Sequence, residues 1–399
     1  MKNYVKYLLK KYLPFYVILF AVCISFFFAF LTTDNNIYYR PEGLSYYVTR
    51  PYSYLLVFLI PLAVVSIFAP IFANTYRYSI KSADVFYQTG KGSKQIRYIN
   101  NITLLICILV SYTAAFLIAI IVMFFKQLPM AGKTIVDDYG GERTYIMFNF
   151  GYYFLAYFLA VIVCSINYFI SYFLITRANN PINSLIVLFL GHMILSILIM
   201  TPIWYASIVS VMFNNNANWY NAGILPGTRV PSIIGPIALI TNLFESLIIS
   251  SEPLNLVIAS EDVFSFVLCI VSIVIFFAAG GLSIYFFLKE KESSGELAGK
   301  PEGRNCSQMV IFHLGAGLIG FWYGIANGFI SSYILINALT TISSFIMFCA
   351  LYYVFYGLIR RNFKLKKKDF AVLIPIASIY IISAVSYGIL QSVSASINP

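Results

Sequence analysis

Long apolar runs separated by short polar connections dominate the pattern along this chain. A helix needs about 20 apolar residues to cross the hydrocarbon core of a membrane, and nine runs free of Asp, Glu, Lys and Arg approach or exceed that length. The pattern therefore predicts an all-α fold, a polytopic transmembrane helical bundle of about nine spans. The predicted spans are 13–32, 53–75, 102–125, 148–176, 184–205, 263–288, 308–326, 329–357 and 370–391.

The connection between the fifth and sixth predicted spans is the largest, and part of it resembles a tenth span. That part, 232–250, contains Pro236, Asn242 and Glu245, and counting it would move the basic residues near 360–368 to the other side of the membrane. We therefore predict a large external element with an interfacial or re-entrant helix. The predicted organisation is 1–205, five spans with a cytoplasmic loop at 76–100; 206–262, the external element; and 263–399, the C-terminal spans with cytoplasmic loops at 289–307 and 358–369.

The composition agrees with a membrane protein. Of the 399 residues, 60% are hydrophobic and 10% are charged, whereas soluble domains have about 25% charged residues. With the N-terminus in the cytoplasm, 20 of the 26 Lys and Arg fall in cytoplasmic connections, as the positive-inside rule requires. This distribution accounts for most of the net charge of +11 without a nucleic-acid partner, and predicts a multi-pass plasma-membrane protein.

The sequence contains little that would support catalysis or metal binding. Five of the six cysteines lie in apolar runs, and Cys306 has no second Cys or His at ligand spacing. The only Gly-Lys-Thr, at 132–134, lacks the first glycine of a phosphate-binding loop because residue 127 is Gln. We predict no metal, cofactor or ATPase site in this chain, so its energy must come from a separate subunit or an ion gradient.

Two histidines fall within the predicted spans. His192 lies near the middle of the fifth span and His313 near the cytoplasmic end of the seventh. Proton-coupled transporters usually place an ionisable residue in the membrane, but we interpret both side chains as hydrogen-bonded packing residues. Sodium coupling through backbone carbonyls stays open, since it needs no charged side chain.

Small residues recur in two of the later spans. They cluster at 278–281 in the sixth span and are spaced four apart at Ala316, Gly320 and Gly324 in the seventh. Small side chains on one helix face let helices approach closely, so we predict close helix packing at both places.

The connection at 76–100 is the most informative polar segment. Its first half can form a short amphipathic helix with Ile80, Ala83 or Asp84, and Tyr87 along one side, before two glycines end it. A short helix held between two spans, with aromatic and charged side chains facing the cytosol, has the shape needed to dock into a groove on another protein. A solvated connector fits the same spacing.

Two stretches of the chain resemble segments of a known family. Residues 82–88, Ser-Ala-Asp-Val-Phe-Tyr-Gln, followed by Gln-Ile-Arg at 95–97, are similar to the Ser-x-Asp-x-Tyr/Phe pattern in the first cytoplasmic loop of export-type ATP-binding-cassette permeases, including the bacterial YtrC-like permeases. Residues 292–299, Glu-Ser-Ser-Gly-Glu-Leu-Ala-Gly, are similar to the Ser-Glu-x-Ala-Gly signature that follows the sixth span in that subfamily. The resemblance covers the topology to about residue 300.

The resemblance implies a permease subunit whose loop at 78–95 is a coupling helix. Closure of a separate cytoplasmic ATP-binding subunit, which binds the ATP, would move the spans through this loop. The other implied partners are a second permease subunit, identical or related, and membrane lipids. The implied coupling residues are Lys81, Asp84, Phe86, Tyr87 and Gln88, with Arg177, Asn179 and Asn180 as a second contact.

Several functions remain open on the residues alone. Our first hypothesis is export of an amphiphilic substrate such as a peptide or lipid. The alternatives are an ion-coupled secondary transporter and a membrane sensor that binds its signal through 206–262. An enzyme is disfavoured because the spans show no Ser/His pattern, paired carboxylates or His/Glu metal cluster.

Overall fold

The computed structural model describes thirteen segments of the chain, which are residues 2–32, 37–39, 54–75, 93–129, 134–136, 142–146, 150–178, 181–213, 263–289, 302–327, 334–360, 362–365 and 367–397. Within these segments the chain forms nine helices and three short strands. The helices are α1 (Lys2–Thr32), α2 (Tyr54–Ala73), α3 (Ser93–Gln127), α4 (Phe150–Thr176), α5 (Pro181–Phe213), α6 (Val263–Lys289), α7 (Glu302–Asn327), α8 (Ile334–Arg360) and α9 (Lys367–Ile397). The strands are β1 (Ile37–Tyr39), β2 (Thr134–Val136) and β3 (Glu142–Ile146).

Six of the described helices are long and apolar enough to cross a membrane. Their apolar stretches are Asn3–Phe28, Lys94–Lys126, Tyr157–Thr176, Pro181–Ile199, Thr341–Arg360 and Asp369–Ser386. Shorter apolar stretches lie in the other three helices, at Leu59–Ala73, Ile273–Lys289 and Gln308–Trp322. The prediction of a helical, multi-pass membrane protein is confirmed at this level, whereas the count of nine spans stays a prediction.

The outer surface of the bundle is apolar. Ile18 on α1, Ile346 on α8 and Ile382 on α9 are each more than half exposed. Contiguous apolar surface of this kind is unfavourable in water and suits contact with lipid chains.

Several helices extend beyond the predicted apolar runs. α3 begins at Ser93, so the last part of the predicted loop 76–100 is helical, and α7 and α9 begin inside the predicted loops 289–307 and 358–369. A helix satisfies its own backbone hydrogen bonds and can therefore continue past the apolar run into a polar region. α5 likewise continues to Phe213, while the rest of 206–262, with the predicted interfacial helix, lies outside the described residues.

The helices pack around two main cores that share α5, and a small third cluster joins Ile197 of α5 to Trp322 of α7. The larger core contains buried side chains of α1 to α6, and its pairs include α1 with α3, α2 with α4, and α6 with both α4 and α5. The smaller core contains α7, α8 and α9, and Ile186 and Leu190 of α5 also lie in it. α5 therefore connects the last three helices to the rest of the bundle.

A small antiparallel sheet lies at one end of the bundle and was not predicted. β3 is the central strand, with Tyr145 opposite Tyr38 of β1 and Arg143 opposite Ile135 of β2. The sheet joins the connection after α1 to the connection after α3. Both connections therefore lie at the same end.

The opposite end collects the starts of α1, α3, α5, α7 and α9 and the ends of α2, α4, α6 and α8. Contacts across it include Tyr4 with Asn100 and Asn183 with Gln308. We term it the basic end, because the chain segments attached to these helix ends contain 20 of the 26 Lys and Arg.

Gly280 brings α6 close to α4, as its cluster of small residues predicts. A Cβ atom at Gly280 would lie 2.2 Å from Cγ2 of Ile166. We expect Gly280→Ala to lower the free energy of unfolding by about 1–2 kcal/mol, because a β-branched neighbour rotates away poorly. Gly281→Ala is the matched control, since a Cβ there meets nothing within 4 Å. Thermal unfolding midpoints in lipid nanodiscs compare the two, and equal midpoints would contradict this close packing.

Candidate functional site

Most of the predicted coupling residues lie outside the described part of the chain. These are Lys81, Asp84, Phe86, Tyr87, Gln88, Asn179 and Asn180. Arg177 is described, and so are the two helix ends that flank residues 76–92. The candidate site is therefore built from the groups that hold the ends of that segment.

The two flanking helix ends are tied to each other by a pair of asparagines. Asn74, directly after α2, donates from Nδ2 to Oδ1 of Asn101 on α3 at 3.1 Å, and also to the carbonyl of Pro70 at 2.7 Å. Both asparagines are buried. Buried amides with mutual hydrogen bonds fix the distance between two elements, because a displaced amide would lose its partner without gaining water. The end of α2 and the start of α3 therefore form one unit.

Arg97 ties this unit to the end of α6. Its side chain is 0% exposed, and Nη2 donates to the carbonyl oxygen of Phe287 at 2.9 Å. The neighbouring Tyr98 donates from its hydroxyl to the carbonyl of Leu288 at 3.2 Å. The last carbonyls of a helix have no partner within the helix and carry its partial negative charge. Two successive residues of α3 therefore cap the C-terminus of α6, one of them with a positive charge.

Tyr168 on α4 completes the arrangement. Its buried hydroxyl lies 3.1 Å from Oδ1 of Asn101 and 3.2 Å from the Asn101 carbonyl. We term Asn74, Arg97, Asn101 and Tyr168, with the carbonyl of Phe287, the polar clamp. It links the helix ends that flank residues 76–92 to α4 and α6 through hydrogen bonds between buried groups.

Arg177 lies against the same last turn of α6. Its guanidinium carbon is 4.6 Å from the ring centroid of Phe173 on α4 and 5.8 Å from that of Phe286 on α6. A guanidinium over aromatic rings is held by cation–π attraction. Arg177 and the polar clamp thus meet at Phe286 and Phe287, neighbouring residues of α6.

In the sequence, Arg97 stands out only as part of a motif, and the other members of the polar clamp were not predicted. Arg97 and Asn101 are four residues apart at the start of a long apolar helix, which places both on one face. That spacing in the sequence could have indicated a polar face at the start of α3. The partners Asn74, Tyr168 and Phe287 carry no comparable local signal, because they come from distant parts of the chain.

Both histidines are hydrogen-bonded, as predicted. His192 is buried, with Nε2 2.8 Å from Oγ of Ser171, and His313 has Nδ1 3.2 Å from the hydroxyl of Tyr352. The sequence had shown no Ser/His pattern, and folding brings Ser171 and His192 together. In the part of the chain that the structure describes, no group of three or more His, Cys, Asp or Glu could hold a metal ion.

No protein-family model, no curated protein and no solved structure matches this chain. Assignment of function therefore depends on the residues and their geometry.

Proposed function

We propose that the chain is the membrane-spanning permease subunit of an ATP-binding-cassette transporter of the bacterial plasma membrane. It couples ATP hydrolysis by a separate cytoplasmic subunit to translocation, in the export direction, of an amphiphilic substrate such as a peptide or lipid. A second permease subunit, identical or related, completes the membrane part. The observation that carries the proposal is the polar clamp at the ends of residues 76–92.

Coupling at a distance requires a rigid connection. A docking segment between two helices moves the bundle only if its two ends cannot move independently, because a flexible mount would absorb the displacement. Asn74 and Asn101 hold those ends together, and Arg97 transfers their position to α6. Since α6 packs against both α4 and α5, displacement of the segment reaches the centre of the bundle.

The basic end is the cytoplasmic end in this proposal, and the N-terminus lies with it. The excess of Lys and Arg in its connections supports this orientation through the positive-inside rule. A single cysteine within 76–92 that reacted with an impermeant reagent from outside intact cells would contradict it.

Affinity purification from the native host tests the partner directly. The full-length tagged chain is extracted in a mild detergent, and co-purifying proteins are assayed for ATP binding and hydrolysis. We expect an ATPase subunit in stoichiometric amount. Its absence from preparations that still transport would refute the proposal in favour of an ion-coupled transporter.

Substitutions in the predicted coupling helix test the mechanism. We expect Asp84→Lys and Tyr87→Ala to leave membrane insertion intact but to lower the ATPase rate of the reconstituted complex about tenfold, because the docking contact is lost. Asp138→Lys is the matched control, since it makes the same charge change in the connection after α3, at the opposite end. Unchanged rates in both coupling variants would remove these residues from the contact.

An ion-coupled secondary transporter is the alternative, and His192 is the observation that favours it. A buried imidazole hydrogen-bonded to Ser171 inside an apolar helix can accept a proton and release it again. Substrate uptake or efflux that follows an imposed pH gradient in vesicles without ATP would support this function.

A further inference from the structure

Buried polar side chains form a line between α4 and α5, well inside the apolar part of the bundle. Asn167 and Ser171 lie on α4, and His192 and Ser196 lie on α5. Each pair is separated by four residues, so each lies on one face of its helix. We term these four residues the polar seam.

The contacts define the register of the polar seam. Ser171 Oγ lies 2.8 Å from His192 Nε2, and Asn167 donates from Nδ2 to Oγ of Ser66 on α2 at 3.0 Å. Only four residues separate α4 from α5, so the two helices run antiparallel. Pairing Ser171 with His192 then places Asn167 at the level of Ser196. Three helices therefore contribute polar groups at two neighbouring levels.

Two atoms of the polar seam are buried without a hydrogen-bond partner among the described residues. They are Oδ1 of Asn167 and Nδ1 of His192. Burial of an unpaired polar atom is unfavourable, and such atoms are rare in folded proteins. Two of them in one line indicate groups that a ligand satisfies in another state of the bundle.

The surroundings indicate that this ligand is uncharged. Asp, Glu, Lys and Arg are absent from the stretches of α2 and α4 to α7 that surround the polar seam, which are 54–75, 150–176, 181–213, 263–288 and 308–327. Within these stretches a charged group would have no counter-charge, and the buried guanidinium of Arg97 on α3 is already engaged at the carbonyl of Phe287. An isolated charge in an apolar region is strongly unfavourable. A hydroxyl or amide group can satisfy both Asn167 Oδ1 and His192 Nδ1 without that cost.

One helical turn of apolar side chains lies between the polar seam and the basic end. The same register places Leu188 of α5 beside Ile175 of α4, one turn nearer the basic end than Ser171 and His192. Both side chains are 1% exposed. The next level on α5 is polar again, with Asn183 and Ser184.

We propose that the polar seam binds the uncharged polar part of the transported molecule, and that Leu188 and Ile175 close the route from the basic end. This inference rests on the proposed transport function and specifies its substrate class, an amphiphile with a neutral hydroxyl- or amide-bearing head. Ser171 and His192 serve here as hydrogen-bonding groups.

Cysteine labelling of the full-length chain, with its native cysteines replaced by alanine, tests the route. In inside-out vesicles we expect a water-soluble, uncharged methanethiosulfonate that carries a hydroxyl group, 2-hydroxyethyl methanethiosulfonate, to modify Ser171→Cys and Ser196→Cys. Ile170→Cys is the matched control, because Ile170 is equally deep and buried but lies on another face of α4. Adding Leu188→Ala should raise the rate at Ser171→Cys about tenfold by weakening the apolar turn between the polar seam and the basic end. Equal rates at Ser171→Cys and Ile170→Cys, with or without Leu188→Ala, would overturn the route.

Protection from labelling tests the ligand. We expect monolaurin, with a neutral glycerol head, to slow modification of Ser171→Cys at least about threefold, and dodecyltrimethylammonium, with a similar chain and a cationic head, to leave it unchanged. No protection by monolaurin, or equal protection by both, would overturn the ligand assignment. The labelling assay contains no ATP and does not depend on an ATPase. If labelling and protection occur but the affinity purification finds no ATPase, the polar seam stands and only the coupling proposal is refuted.

Discussion

Arg97→Glu should destabilise the bundle more than any other single change considered for this chain. The substitution places a buried carboxylate against the C-terminal carbonyls of α6, where Arg97 now donates to the Phe287 oxygen at 2.9 Å. Repulsion from the helix end and the uncompensated burial of a charge should together lower the free energy of unfolding by about 3–5 kcal/mol. The measurement is the fraction of full-length protein that stays monodisperse in size-exclusion chromatography after heating in nanodiscs.

The control for this variant lies one turn earlier on α3. Lys94→Glu makes the same change of charge at an exposed position of the same helix. Lys94→Glu should change the free energy of unfolding by no more than about 0.5 kcal/mol. Arg97→Gln should fall between the two, since a neutral amide retains a donor but loses the charge. Similar losses in Arg97→Glu and Lys94→Glu would show that the cap of α6 does not stabilise the bundle.

Asp369→Ala should produce the second largest loss of unfolding free energy. Asp369 lies in the first turn of α9, close to the end of α8. Asp369 Oδ2 lies 2.6 Å from Nη1 of Arg360, and Oδ1 accepts from the hydroxyl of Tyr356 at 2.6 Å. Arg360 also donates to that hydroxyl at 2.9 Å, so the three groups form a closed set. We expect the free energy of unfolding to fall by about 2–3 kcal/mol. This is less than for a fully buried ion pair, because the Arg360 side chain is 26% exposed and its charge is partly screened.

A double-mutant cycle separates the ion pair from the rest of this effect. Asp369→Ala, Arg360→Gln and the combination are compared with the unmodified chain by denaturant or thermal unfolding. We expect the double variant to lose about 1–2 kcal/mol less unfolding free energy than the two single variants lose together, since either single change already removes the ion pair. If the losses of unfolding free energy in the two single variants add up to that of the double variant, Arg360 and Asp369 do not interact in the membrane-bound protein.

The positions of the helices could be predicted from the apolar runs, whereas the residues at which they begin and end could be predicted less well. Each predicted apolar run overlaps one described helix, because a run of apolar residues must be helical to cross a membrane. α3 nevertheless begins at Ser93, before the predicted span at 102, since polar residues such as Arg97 can occupy a helix that continues beyond the apolar run. The sheet formed by β1, β2 and β3 was not predicted, because strands of three to five residues are too short for their alternation to be detected.

Only the region of the candidate site could be predicted, and the coupling residues themselves stay a prediction. The sequence pointed to the connection between α2 and α3 and to Arg177. The structure adds the groups that hold this connection, of which Asn74 and Asn101 are 27 residues apart and Arg97 and Phe287 are 190 apart. Local patterns cannot identify such partners, because each asparagine or tyrosine near a helix end is equally consistent with contact to water, lipid headgroups or another helix.

By itself, the amino-acid sequence determined that this chain is a helical membrane protein with its positive charges gathered on one side. Both properties are sums over local residues, namely the length of each apolar run and the placement of Lys and Arg. Only the tertiary structure decided that Arg97 caps α6 and that Ser171 meets His192. These pairings depend on which helices become neighbours and in which register, and close packing of distant segments sets both.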